Sequence, residues 1–182
     1  MPTLYLVRHG RAAAAWDGGH DPGLDDLGRA QARDMARLLA PLGPMMMIVS
    51  PMARTCETAA PLAAAWGAEP RIEPRVGEIP SPTPDLKARG QWLREVAGRV
   101  WPELDQPLRD WRARVLAALA EVANDTVVVT HYIAINAAAG AATGDDRVVN
   151  FRPDYCSITV LRHTGNALAL VRRGNEGATR VL

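Results

Sequence analysis

The chain has 182 residues, of which 48% are hydrophobic and 23% are charged. This composition is typical of a soluble globular protein and argues against a disordered chain. The 21 Lys and Arg residues nearly balance the 20 Asp and Glu residues, giving a net charge of +1. General nucleic-acid-binding and membrane-surface proteins usually carry a clear basic excess, so neither partner is expected. The length fits one α/β domain, which we place at residues 1–182.

The two cysteines and the N-terminus predict a reducing compartment. Cys56 and Cys156 are far apart and fit no zinc-binding spacing, so we interpret them as free or buried thiols. The apolar stretch at residues 4–7 is too short for a signal peptide. No apolar run approaches the roughly 18 residues that a membrane span needs. We therefore expect a soluble cytoplasmic protein, with its oligomeric state, monomer or dimer, left open.

Strands and helices alternate along the first third of the chain. Residues 4–7 form a short apolar run that predicts a buried first strand. A loop rich in Gly and Asp follows, and a helix is predicted from about Asp26 to residue 42. Its apolar positions at nearly helical spacing are Leu27, Met35, Leu38, Leu39 and Leu42. A second strand is predicted at 45–49 and a second helix at 52–66.

The remaining elements complete an alternating pattern. A short strand near Ile72 and a Pro-rich loop precede two helices, and a β-branched strand leads into an Ala-rich helix. Two closing strands are joined by a turn at residues 164–166. The predicted ranges are helices 84–100 and 106–123, strand 126–130, a helix ending at Gly144, and strands 155–161 and 167–171. This pattern predicts an α/β three-layer sandwich with a mostly parallel central sheet and helices on both faces.

Four side chains are expected to meet at one edge of this sheet. Arg8 and His9 follow the first strand, Arg54 lies one helical turn beyond the second strand, and His131 follows the strand at 126–130. Ligands of open α/β sheets bind beyond the carboxyl ends of the strands. Guanidinium groups match phosphate oxygens, and a neutral imidazole is a competent nucleophile near pH 7. The group therefore predicts attack of His9 on a bound phosphate, with the other three stabilising charge on its oxygens.

A proton donor for the leaving group is predicted in the Pro-rich loop. Glu78 lies between apolar residues, which we expect to raise the pKa of its carboxyl group. A solvated loop carboxylate is an equally good interpretation of the same spacing. Glu73 and Asp85 are the weaker candidates for this role.

These segments resemble the histidine phosphatase superfamily, which includes phosphoglycerate mutase-like and acid phosphatase-like proteins. The resemblance is carried, in the family's order, by residues 6–10, 24–32 and 50–59, Glu78, and residues 128–131. It implies a phosphoglycerate mutase-like fold and the following roles. The nucleophile is His9, the phosphate pocket consists of Arg8, Arg54 and His131, and the proton donor is Glu78. No metal or other cofactor is implied.

The sequence departs from the family pattern in the expected substrate pocket. Ala15 stands where many members carry Asn, and Tyr132 stands where many carry Gly after the second His. Glu78 also lacks the downstream Gly and Trp context of many mutase-like members. We predict that Arg11, Trp16 and Tyr132 line the substrate pocket. Since mutases carry extra insertions that this chain lacks, a phosphatase is the better interpretation.

Two other residue patterns are weaker candidates for a functional site. The Cys-x5-Arg spacing of Cys156 and Arg162 matches Cys-dependent phosphatases, but the residues between them favour an extended strand that would separate the two side chains. A metal site at Asp17, His20 and Asp21 has no recognisable spacing.

The predicted function is that of a metal-independent phosphomonoesterase acting on a phosphorylated small molecule. Three alternatives stay open: a protein phosphohistidine phosphatase, phosphoglycerate mutase-type phosphoryl transfer, and a non-catalytic phospho-ligand binder.

Overall fold

The computed structural model describes residues 1–13, 21–165 and 167–177. Within these ranges it contains six strands and five α-helices. The strands are β1 (Thr3–Arg8), β2 (Met46–Val49), β3 (Arg71–Ile72), β4 (Thr126–Thr130), β5 (Ile158–Thr164) and β6 (Ala167–Arg172). The helices are α1 (Asp26–Leu39), α2 (Ala53–Trp66), α3 (Leu86–Ala97), α4 (Gln106–Ala120) and α5 (Tyr132–Thr143).

The strands form one sheet in the order β3-β2-β4-β1-β5-β6. The first four strands of this order pair in parallel, whereas β5 and β6 add an antiparallel edge. In the β1–β4 register Arg8 lies opposite Thr130. The residues that follow these two strands, His9 and His131, therefore leave the sheet side by side at its carboxyl edge.

Two hydrophobic clusters cover the two faces of the sheet. Side chains alternate along a strand, so neighbouring positions point to opposite faces. One cluster joins Leu6 and Val128 to residues of α3, α4 and α5. The other joins Val7 and Val129 to residues of α1 and α2. This arrangement confirms the predicted α/β sandwich with helices on both faces of a mostly parallel sheet.

The apolar face predicted for α1 was wrong in part. Its buried residues are Gly28, Ala32, Met35, Ala36 and Leu39. Leu27, Leu38 and Leu42 are instead 45%, 68% and 50% exposed. Each α-helical residue turns the chain by about 100°, so Leu27 and Leu38, next to the buried Gly28 and Leu39, point away from the sheet. Leu42 lies in a 3₁₀ turn after the helix has ended.

The boundaries at the second half of the chain also differ slightly from the prediction. Strand β5 begins at Ile158 rather than Tyr155, because Cys156 has a positive φ of 53° and interrupts the extended backbone. Helix α3 begins after Asp85, whose side chain accepts a hydrogen bond from the Ala88 N–H. Residue 166 of the predicted turn lies outside the described residues. None of the helices in the described part of the chain is long and apolar enough to cross a membrane.

Candidate active site

The carboxyl edge of the sheet brings His9, Arg54 and His131 together. The ring centroids of the two histidines are 5.3 Å apart. Arg54 reaches them from the first turn of α2, which follows β2. All three residues are buried, each less than 10% exposed. The predicted convergence of residues from three strand ends is thus present in the structure.

The Arg54 guanidinium group lies at the centre of the cluster. Its Nε donates to Nε2 of His9 at 3.3 Å. Its Nη2 is 3.4 Å from Nδ1 of His131 and 3.4 Å from Oε2 of Glu78. One planar cation therefore contacts the two histidines and the carboxylate at once.

The backbone fixes the tautomer of His9. Nδ1 lies 2.8 Å from the carbonyl oxygen of Gly10. Since a carbonyl oxygen only accepts, Nδ1 carries the proton and Nε2 keeps the lone pair that faces Arg54. Burial, followed by the nearby His131 and Arg54, lowers the pKa of His9 well below its ordinary value. The ring is therefore neutral near pH 7 and has the nucleophilic nitrogen available.

Gly10 holds the end of β1 against two helices. Its N–H donates to Oγ1 of Thr58 in α2 at 2.9 Å. A Cβ atom at Gly10 would lie 2.7 Å from the carbonyl oxygen of Gly28 in α1, too close for any side chain. This close approach of two backbone segments requires glycine and anchors the residue next to His9.

His131 is completely buried and held from both sides. Its Nε2 lies 2.8 Å from Oγ of Ser50 at the end of β2, and its Nδ1 lies 3.4 Å from Oε2 of Glu78. Burial lowers the pKa of His131 although the Glu78 carboxylate opposes this shift. The contact of Ser50 with His131 was not predicted from the sequence.

Glu78 lies beside the histidines but has the opposite charge state from the one expected. Burial alone would raise the pKa of its carboxyl group, but His131 and Arg54 outweigh burial and lower it below the usual range. The expectation of a raised pKa was therefore wrong for the free protein. The two weaker candidates have structural partners instead: Glu73 pairs with Arg75 at 2.9 Å, and Asp85 caps α3.

Arg8 lies in the same region, because the Tyr155 ring that it contacts is 6.0 Å from the His9 ring. Its Nη1 donates to the carbonyl oxygen of Pro153 at 2.9 Å. Its Cζ lies 4.0 Å from the ring centre of Tyr155 and 5.0 Å from that of Tyr132, so the two rings flank the guanidinium group. Its Nε is buried and has no hydrogen-bond partner among the described residues. A buried cation with a free donor is suited to binding an anion.

The contacts of Pro153 and Tyr155 with Arg8 were missed by the sequence reasoning. Both residues lie more than twenty positions after His131 and resemble ordinary loop residues. The only available signal was the closing strand that follows them, because β5 pairs with β1 and so returns the chain to Arg8.

Of the three residues predicted to line the substrate pocket, the structure describes Arg11 and Tyr132, and the two differ in exposure. Arg11 is half exposed, and its Nε lies 2.5 Å from Asp25 at the start of α1. Tyr132 is buried, and its hydroxyl group donates to the carbonyl oxygen of Phe151 at 3.4 Å. Trp16 lies outside the described residues, as does Ala15.

The metal alternative at residues 17–21 is described only at its last member. Asp17 and His20 lie outside the described residues. The carboxylate of Asp21 accepts a hydrogen bond from the Ala53 N–H at 2.9 Å and lies 3.7 Å from Nη1 of Arg54. In the structure this side chain therefore binds the first turn of α2.

The cluster of His9, Arg54, Glu78 and His131 contains three groups that could ligate a metal ion. Ligand atoms of His9, Glu78 and His131 lie within 4.8 Å of one another. The Arg54 guanidinium group, however, contacts all three and supplies the positive charge that a metal ion would bring. A cation would have to displace this side chain, whereas an anion gains from it.

The Cys-dependent alternative lacks its nucleophile. Burial raises the pKa of the Cys156 thiol to about 12, so the thiolate is scarce near pH 7. Arg162 lies on the exposed side of β5, five residues into the strand.

Comparison with protein families identifies the chain. The Histidine phosphatase superfamily (branch 1) model matches residues 4–176. This match confirms the family predicted from the sequence and agrees with the predicted enzyme class, a phosphatase. Comparison with curated protein sequences gives no match.

Solved structures with the same fold include several phosphatases. A mycobacterial glucosyl-3-phosphoglycerate phosphatase in complex with VO3 has a TM-score of 0.74 and 22% identity, covering 97% of this chain and 100% of its own. Phosphoserine phosphatase from Entamoeba histolytica in complex with 3-phosphoglyceric acid has a TM-score of 0.74 and 19% identity, covering 96% and 98%. YhfR of Bacillus stearothermophilus has a TM-score of 0.74 and 19% identity, covering 94% and 96%. These similarities confirm the fold.

Proposed function

Because the chain belongs to the histidine phosphatase superfamily, we propose that it is a metal-independent phosphomonoesterase that hydrolyses a phosphorylated small molecule through a phosphohistidine at His9. The observation that carries this proposal is the neutral His9 ring with its Nε2 lone pair directed at the Arg54 guanidinium group. A nucleophile beside a buried cation is the arrangement that attack on a bound phosphate requires.

In the first step, Nε2 of His9 attacks phosphorus and the bond to the leaving oxygen breaks. Arg54 and Arg8, each less than 10% exposed, hold the phosphoryl oxygens. His131 lies between Arg54 and Glu78 and can donate a further hydrogen bond to these oxygens. Charge that develops on the oxygens is stabilised by groups already fixed in place.

Glu78 is proposed to supply the proton for the leaving oxygen. In the free protein its carboxyl group is ionised, because His131 and Arg54 lower its pKa against the effect of burial. A phosphate dianion bound to Arg54 adds negative charge beside Glu78. It also weakens the electrostatic attraction between the Arg54 guanidinium group and the Glu78 carboxylate. Both effects raise the pKa of Glu78 towards the value that a proton donor needs. In the second step the same carboxylate accepts a proton from the water that hydrolyses the phosphohistidine.

The test is hydrolysis of p-nitrophenyl phosphate by the wild type and by His9→Ala. We expect the variant to lose activity by at least a thousandfold while its circular dichroism and unfolding midpoint stay close to those of the wild type. Brief incubation of the wild type with labelled substrate should trap acid-labile phosphate on His9. Full activity of a folded His9→Ala protein would refute the mechanism.

The same trapping experiment decides between the alternatives. Acid-labile phosphate followed by release of inorganic phosphate supports the hydrolase. Labelled phosphate that is transferred to a second sugar-phosphate acceptor indicates a mutase. Absence of both labelled protein and product indicates a phospho-ligand binder.

A protein phosphohistidine phosphatase is the second candidate, favoured by the ionised state of Glu78. The nitrogen leaving group of a phosphohistidine needs less help from an acid than an alkoxide does. Glu78→Gln should then abolish hydrolysis of alkyl phosphates and spare hydrolysis of phosphoramidate. Equal losses on both substrates would contradict this candidate and support the small-molecule phosphomonoesterase.

A further inference from the structure

A cavity of about 630 Å³ lies next to the phosphate-binding side of the candidate active site. Its walls come from the second half of α3, the start of α5, residues 147–152 and Glu176. The volume is within the range of small-molecule sites in proteins. No step of the proposed hydrolysis uses this cavity.

The lining of this cavity is strongly basic for a chain with a net charge of +1. Among the described residues that line it, Arg94, Arg147 and Arg152 stand against one carboxylate, that of Glu176. Arg147 pairs with Asp145 at 2.6 Å, and Glu176 accepts a hydrogen bond from the Arg152 backbone N–H at 3.1 Å. Within the part of the chain that the structure describes, the guanidinium groups of Arg94 and Arg152 have no hydrogen-bond or ion-pair partner. These two cations are available to a ligand.

The cavity shares a wall with the phosphate pocket. The Tyr132 ring lies 5.0 Å from Cζ of Arg8, and its hydroxyl group binds the carbonyl oxygen of Phe151 in the cavity lining. Residues 151 and 152 lead directly to Pro153, whose carbonyl oxygen accepts the Arg8 hydrogen bond. Tyr132 and residues 151–153 therefore lie between the cavity and Arg8.

Helix α3 supplies residues to the lining of both regions. Arg89 of α3 lies with Glu78 around a smaller pocket of about 410 Å³ and is close enough to lower the pKa of His131, where burial is the main cause. Arg94 lies five residues further along the same helix, about 7.5 Å along its axis. This offset is the length of a small organic molecule rather than that of a phosphate ion.

We propose that the cavity binds a second anionic group of the substrate through Arg94 and Arg152. The substrate is then an elongated phosphomonoester that carries a carboxylate or a second phosphate at the end remote from the reacting phosphate. Guanidinium groups bind either of these through paired hydrogen bonds. This inference rests on the proposed hydrolase function and specifies its substrate class.

The test compares two open-chain substrates of equal length, 6-phosphogluconate and glucitol 6-phosphate. They differ only in a terminal carboxylate or hydroxymethyl group. We expect kcat/KM of the wild type to be at least tenfold higher for 6-phosphogluconate, and a glucitol 1,6-bisphosphate arm shows whether a second phosphate serves as well. The Arg94→Gln/Arg152→Gln variant should bring the ratio close to one.

The matched control is Arg33→Gln, an exposed arginine on α1 at the other face of the sheet, which should keep the wild-type ratio. Equal kcat/KM for the two substrates in the wild type, or an unchanged ratio in the double variant, overturns the inference.

Binding to His9→Ala separates this inference from the proposed function. Calorimetric titration needs no turnover, so it compares the affinities of the same two compounds even in a protein that is not a hydrolase. Tighter binding of 6-phosphogluconate supports the cavity assignment, and equal affinities refute it. Failure of His9→Ala to reduce hydrolysis would refute the catalytic proposal alone.

Discussion

Replacement of Arg54 by glutamine should disturb more catalytic groups than any other conservative change. The guanidinium group contacts His9 at 3.3 Å and both His131 and Glu78 at 3.4 Å. Glutamine is shorter and neutral, so it leaves the phosphoryl oxygens without this cation. Glu78 then keeps His131 and the Ile79 backbone N–H as partners but loses its contact with a fixed positive charge. Removal of one preorganised donor to a developing oxyanion costs about a hundredfold to a thousandfold in kcat, or about 3–4 kcal/mol. We expect a loss of kcat/KM of at least that size.

The pH profile gives an independent check of the same change. Arg54 lowers the pKa values of both His9 and Glu78, although burial is the largest influence on each. Without Arg54 both pKa values should rise. The acid limb of kcat/KM should then move to higher pH, since protonation of His9 removes the nucleophile.

The assay is steady-state hydrolysis of p-nitrophenyl phosphate between pH 4.5 and 8, with urea unfolding of each protein. Arg33→Gln serves as the control for removal of a distant arginine. A loss of less than fivefold with an unchanged pH profile, in a folded Arg54→Gln protein, would refute the central position of Arg54 in catalysis.

Three further predictions follow from the groups around this cluster. Tyr155→Ala should raise KM about tenfold, because it removes the ring 4.0 Å from Cζ of Arg8, whereas Tyr155→Phe should retain the wild-type KM. Asn136→Ala should lower the free energy of unfolding by about 2–3 kcal/mol in urea, because the buried amide accepts hydrogen bonds from the backbone of residues 150 and 151 and donates one to Tyr132. Burial lowers the pKa values of His9 and His131. The unfolded chain therefore binds more protons below about pH 6.5, and the urea midpoint should fall from pH 7 to pH 5; a constant midpoint would contradict this.

The parts of the site that the sequence predicted are those that local rules determine. Arg8, His9 and His131 end short apolar runs, and parallel strands bring their carboxyl ends to one edge whatever the details of packing. Arg54 follows a strand by one helical turn, so its position could be predicted in the same way. The order of the strands and helices alone was enough to predict where these four residues lie.

The features that sequence reasoning missed depend on contacts between distant segments. The contact of Tyr155 with Arg8 requires the register of β5 against β1, which no local pattern contains. The lowered pKa of Glu78 depends on its distances to His131 and Arg54, whereas its apolar neighbours in sequence predicted a rise. The prediction wrongly placed Leu27 and Leu38 on the buried side of α1. Both are adjacent in sequence to buried residues, and their spacing fits a helical repeat almost as well as the spacing of those buried residues does.

The close approach of the Gly10 and Gly28 backbones couples the position of His9 to the first helix. No side chain separates the two segments, and a methyl group added at position 28 would come within 2.1 Å of the Arg11 carbonyl oxygen. Side chains can adjust by rotation, but two polypeptide backbones in direct contact can only move as one. A shift of α1 would therefore carry the imidazole of His9 with it.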